Sequence, residues 1–212
     1  MEDFEALLDP AERQLVASLD SPARIQAFLD ETPYSAEDAN RCPLRVLRER
    51  KAHCLDGGLF AAATLRRLGF PPLIVDLLPE PGLDDDHVLA IYRLSGRYGA
   101  VAKSNFSGLR FREPVYRNLR ELVMSYFEDF FNQQGQRTMR GYTRPVNLAA
   151  YDRLDWMTRD SGADAIEKRL YRLKCIPVLT LEMAAALHPL DALSFQAGML
   201  GTNPAGLYRP KA

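Results

Sequence analysis

Between Cys54 and Asn105 the chain changes its periodicity twice, and this alternation constrains the fold more than any other stretch. The small, apolar run from Leu59 to Leu68 reads as a helix that Gly69 closes, with Cys54 in its first turn. Pro71-Pro72 ends any helix, and Leu73-Ile74-Val75-Asp76-Leu77-Leu78 is a compact apolar run of strand length. A loop rich in proline, glycine and aspartate, residues 79–86, delivers His87 at the start of a second run, His87 to Leu94. Ser95-Gly96-Arg97 reads as a hairpin turn and Tyr98 to Asn105 as the returning strand. A helix followed by a strand and a hairpin predicts an α+β fold, with the cysteine-bearing helix packed on a small antiparallel sheet.

The flanks add helices at both ends. Residues 3–20 read as a helix interrupted or initiated at Pro10, and Ser21-Pro22 starts a second one with serine as N-cap and proline at its first position. Pro43 opens a short helix, and Glu113-Pro114 to Asn132 carries Leu119, Leu122, Val123, Tyr126, Phe127 and Phe130 at helical spacing. Further helices are expected around 164–174 and 181–187, and the Gly201 to Gly206 stretch reads as poorly ordered. No linker or internal repeat divides the chain. The expectation is therefore a single domain over 1–212, with a core over 35–135 and a C-terminal extension over 141–212.

Bulk composition narrows the function classes. With a net charge of −1 and the Arg41–Lys51 basic cluster answered by Glu49, Asp56 and Asp84-Asp85-Asp86, the chain lacks the cationic face that phosphate backbones require, so no nucleic-acid partner is expected. No apolar run approaches the ~18 residues of a membrane span, and the first residues are acidic where a signal peptide is basic. Three cysteines without a CxxC pair suit a reducing compartment, so the expected location is cytoplasmic. No pair among His53, Cys54, His87 and the three aspartates has ligand spacing, and neither a metal nor a cofactor is expected.

The candidate chemistry lies at Cys54, His87 and Asn105. A thiol at a helix N-terminus meets unpaired N–H groups and the positive end of the macrodipole, both of which favour the thiolate. A nucleophilic cysteine needs a base, and the imidazole needs a third group to orient it. A three-residue hairpin loop sets His87 opposite Asn105, and a two-residue loop sets it opposite Ser104. Asn105 is preferred because its amide oxygen accepts from the imidazole N–H. Asp86, beside His87, would raise the imidazole pKa if their side chains approached. His53 reads as a structural or capping residue, Cys42 as structural and Cys175 as core.

The runs "AHCLDGGLFAAATLRRLGFPPLIVDL" and "DDDHVLAIYRLSGRYGAVAKSN" resemble the transglutaminase-like superfamily, whose papain-like core sets a cysteine on a helix and a histidine and an aspartate on neighbouring strands. The resemblance covers about residues 35–135. It implies that Cys54 is the nucleophile and His87 the general base of a hydrolase or acyltransferase acting on an amide or thioester bond, with Asn105 where the family has aspartate. The implied partner is a peptide, a protein or a small amide substrate. An alternative from another class is a catalytically inactive member of this fold that binds a peptide or protein. The lack of a glutamine upstream of Cys54 and the presence of Lys103 motivate it.

Overall fold

The computed structural model describes residues 4–209. The helices are α1 (Pro10–Ser18), α2 (Pro22–Glu31), α3 (Pro43–Glu49), α4 (Cys54–Arg67), α5 (Leu119–Met124), α6 (Asp160–Leu170), α7 (Leu181–Ala185) and α8 (Ala192–Met199). The strands are β1 (Leu73–Pro79), β2 (His87–Leu94), β3 (Arg97–Val101), β4 (Arg112–Tyr116), β5 (Met139–Tyr142), β6 (Val146–Asn147) and β7 (Ile176–Pro177). Pro10 does initiate the first helix. Asp9 caps it by accepting from Glu12 N at 2.8 Å, and the Glu12 side chain accepts from Asp9 N at 2.9 Å, a reciprocal capping box. Ser21 and Pro22 open α2 in the same local way.

The strands form one antiparallel sheet in the order β4-β3-β2-β1-β5-β7, with β6 also pairing β1. Both faces of its centre are covered. Ile74, Val88, Ala90 and Val101 pack into the cluster made by α2, α3, α4 and α6. Val75, Leu77, Leu89, Ile91 and Ala100 point the other way, against Leu122, Val123, Tyr126 and Phe130. This explains why β1 and β2 read as continuous apolar runs rather than alternating ones. The fold is thus α+β, with the Cys54 helix packed on a small antiparallel sheet.

Several expectations need correction. Leu94 pairs with Arg97, and Ser95 and Gly96 both have positive φ (50° and 77°), so the hairpin closes through a two-residue turn rather than a three-residue loop. The stretch read as one helix over 113–132 is instead edge strand β4, helix α5 and a 3-10 turn at Phe127–Asp129. Pro114 is compatible with β4 because an edge strand tolerates a missing N–H. Residues beyond 139 contribute β5, β6 and β7 to the sheet. The helix expected near 164–174 is α6, four residues earlier at both ends. Cys175 is exposed rather than core. The Gly201–Gly206 stretch takes a defined turn, Pro204–Gly206, with Asn203 capping it. Among the described residues no helix is long and apolar enough to cross a membrane.

Candidate functional site

Cys54 is the first residue of α4, and the helix start is anchored from behind. Asp56 accepts from the main-chain N–H of His53 at 3.2 Å and of Arg41 at 2.6 Å, and the buried Arg41 guanidinium lies 3.6 Å from its other oxygen. Arg41 also donates to Ser35 Oγ, Glu49 and Glu37, tying the loop before α3 to the helix start. Burial lifts the Asp56 carboxyl to about 7 against these donors, while burial and the Arg41 charge lower the His53 imidazole to about 4. His53 is thus the N-cap residue of α4, as expected, with Asp56 satisfying its N–H. Gly57 and Gly58 let the first turn press on the sheet. A methyl at Gly57 would overlap Lys103 Cβ, and one at Gly58 would lie 2.7 Å from Val88 Cγ1.

His87, the first residue of β2, is buried, and its Nε2 lies 2.7 Å from the carbonyl oxygen of Leu109. A carbonyl only accepts, so Nε2 carries the proton and Nδ1 keeps the lone pair. The imidazole is thereby held in one tautomer by a main-chain group. Its pKa falls to about 4 because burial disfavours the cation. The expected lift from Asp86 does not occur. The Asp86 carboxyl instead meets Asp76, a fully buried residue of β1. Burial, then the Asp86 charge, pushes the Asp76 carboxyl well up, while burial and the Asp85 charge lift Asp86 to about 7 against a hydrogen bond with Asp76 that lowers it.

The third position differs in its contacts. The β2–β3 ladder ends at Ala90–Val101, because Gln26 of α2 accepts from Ala102 N at 3.0 Å and donates to Ala102 O at 2.9 Å, drawing the chain off the sheet. By the two-residue register Ser104, not Asn105, would fall opposite His87, yet neither pairs there. Ser104 Oγ accepts from Phe106 N at 3.0 Å. The Asn105 amide is taken up by Asn203, donating to its carbonyl at 2.9 Å and accepting from its N–H at 2.8 Å. Lys103 points away from the site and donates to the carbonyls of Leu29 and Thr32 at the end of α2, with burial lowering its pKa to about 8.

Cys54, His87, Asn105 and Tyr34 line one small cavity of about 40 Å³, and Cys54 and Tyr34 also line an adjoining cleft of about 730 Å³. The Cys54 Sγ lies 3.8 Å from the Asp86 carbonyl oxygen. Its thiol is pushed well up by burial, then by the charges of Asp86 and Asp85, against the thiolate expected at a helix start. Cys42, which caps α3, is also raised by burial, to about 11. Among the described residues no group of three or more His, Cys, Asp or Glu is arranged to hold a metal ion.

Two site groups escaped the sequence reading. Leu109 acts through its carbonyl, which leaves no side-chain signal. Tyr34 follows α2 without any motif around it, but its bridge to Ala52, two residues before Cys54, brings it into the cavity. Burial, then the proximity of the Cys54 charge, holds its hydroxyl protonated.

No family model matches the chain, and no curated protein does. Among solved structures, "Legionella pneumophila LapG" is similar at 14% identity over 48% of this chain and 68% of its own, with a TM-score of 0.36. "Legionella pneumophila LapG (EGTA-treated)" is similar at 12% identity over 79% of this chain and 95% of its own, with a TM-score of 0.41. These scores establish neither a shared function nor a family, and the chemistry of the site follows from the chain's own geometry.

Proposed function

We propose that this chain is a cysteine-dependent hydrolase or acyltransferase of the transglutaminase-like kind, acting on an amide or thioester bond. One observation carries the reading: Cys54, opening α4, lines the same cavity as His87, whose Nε2 is pinned by the Leu109 carbonyl so that Nδ1 is the basic nitrogen. In this mechanism His87 Nδ1 takes the thiol proton as Cys54 Sγ attacks the acyl carbon. The Cys54 main-chain N–H and the Tyr34 hydroxyl donate to the oxyanion. The imidazolium then protonates the leaving amine or thiolate. Water, or an amine acceptor, loses its proton to the same nitrogen as it releases the acyl group from Cys54. The Leu109 carbonyl takes the orienting part first expected of Asn105, which is left to bind what lies across the cavity.

The test is turnover of thioester and peptide-amide substrates by the full chain. Cys54→Ala is expected to abolish it, and His87→Ala to lower it by about 10²- to 10⁴-fold. Undiminished turnover in Cys54→Ala overturns the reading. The raised thiol and lowered imidazole favour a second reading, a transglutaminase-like module that binds a peptide or protein without chemistry. It is supported if Cys54 is alkylated no faster than Cys42 between pH 5 and 9, whether or not His87 is present.

A further inference from the structure

Residues 205–208 border the cleft at Cys54. Gly206 and Tyr208 line both the small cavity and the larger cleft, together with Tyr34 and Cys54, so this segment runs along the wall the two spaces share. It is held through its main chain. The Asn105 amide pairs with the Asn203 peptide unit in both directions, at 2.9 and 2.8 Å, and Gln133 Nε2 donates to the Tyr208 carbonyl at 2.6 Å. Such contacts recognise a polypeptide without reading its side chains, as strand addition does.

One position is read by shape. A Cβ at Gly206 would lie 2.7 and 2.8 Å from Cδ1 and Cε1 of the Tyr34 ring and 3.3 Å from Asn105 Nδ2. Gly206 is not among the glycines with positive φ, so its backbone does not call for glycine. What calls for glycine is the approach of the chain to the aromatic face.

We propose that the Cys54 cleft binds an extended polypeptide that seats a glycine on the Tyr34 ring, and that residues 203–208 of this chain occupy it as a tethered, displaceable ligand. The proposal rests on the reading of this cleft as the active site only for the use made of the peptide, since docking itself requires no chemistry at Cys54. Tyr34 and Asn105 are then the specificity-determining residues, one selecting glycine and the other holding the main chain. A tethered occupant competes at high effective concentration, so a peptide in trans enters only when the segment lets go.

The test uses the full chain, with iodoacetamide alkylation of each cysteine followed by mass spectrometry at pH 8. Gly206→Val drives a side chain into Tyr34 and is expected to raise the Cys54 rate by about ten-fold, in line with a larger open population. Exposed Cys175 serves as the unchanged reference, and buried Cys42 reports any loss of fold. Asn203→Pro removes the N–H that Asn105 accepts at a φ of −82°, which proline tolerates, and is expected to open the cleft in the same direction. A synthetic peptide of residues 201–209, added to either opened variant, is expected to restore slow labelling, and the same peptide with valine for glycine is not. A Cys54 rate unchanged in both variants, or equal protection by the two peptides, overturns the proposal. The catalytic reading fails separately: if His87→Ala leaves the Cys54 rate of the opened chain unaltered while peptide protection persists, the cleft binds but does not react.

Discussion

The layer that carries Cys54 and His87 and the stretch that covers them differ in how they are held. Around α4 and β2 nearly every side chain is buried, from Leu59 and Phe60 to Val88 and Leu89, and even Asp56 and His87 are enclosed. Beyond Lys174, Val178 is a buried apolar residue, while Leu181 and Leu193 are 90% and 76% exposed. There the chain is tied by a few separate contacts instead: Asn105 to Asn203, Gln133 to Tyr208, and Phe131 to Phe195 with ring centroids 5.8 Å apart. Burial on this scale resists movement, whereas a few polar links release at small cost, and segments that must open are drawn from such regions. Cys54 and His87 thus sit in the densely buried layer, and the segment across their cavity is held by few contacts.

Four substitutions probe this contrast. Arg41→Met strands the buried Asp56 carboxylate and unties the loop before α3, with an expected loss on the order of 3–5 kcal/mol in denaturant unfolding. Gly57→Ala gains helix propensity but overlaps Lys103, for a net loss of about 1–3 kcal/mol, and a gain would mean that α4 can move off the sheet.

A third change concerns pH. Asp76 and Asp86 have pKa values raised by folding, so the folded chain holds more protons than the unfolded one, and their contribution to stability is present at acid pH and lost as pH rises from about 4. For Asp86 the loss runs to about 7. Asp76→Asn removes that cost, and is expected to raise Tm at pH 8 by a few degrees and to leave it nearly unchanged at pH 4. His53 and His87, lowered to about 4, work in the opposite sense, costing stability as pH falls from about 6.5 towards 4. Smallest is Leu193→Ser on the exposed face of α8, expected to stay within about 0.5 kcal/mol in the same unfolding measurement.

The elements that were legible in the sequence are those whose ends are dictated locally. Asp9 and Ser21 cap helices that start at Pro10 and Pro22, α4 begins at Cys54, and β2 begins at His87. The hairpin loop length was not legible, because Ser95 adopts a positive φ that non-glycine residues rarely take. The 113–132 stretch misled because its apolar spacing arises from residues of α5 and a 3-10 turn covering one sheet face, which mimics one continuous helix. At the site, the order of helix and strand along the chain is what puts Cys54 and His87 forward as candidates, and both line one cavity. The Leu109 carbonyl and Tyr34 were not, since one has no side-chain identity to read and the other is brought in by a bridge to Ala52.

The starts of the cysteine helix and the histidine strand are written in the local sequence, because caps, prolines and short-range periodicity act within a few residues. The state and surroundings of Cys54 and His87 come from long-range packing. Burial raises the thiol and lowers the imidazole, Gln26 pulls the chain away from His87 after Val101, and Asn203 claims the amide of Asn105. Each of these depends on groups brought together from distant parts of the chain, where desolvation and hydrogen bonding are set by the packed surroundings rather than by neighbours in sequence.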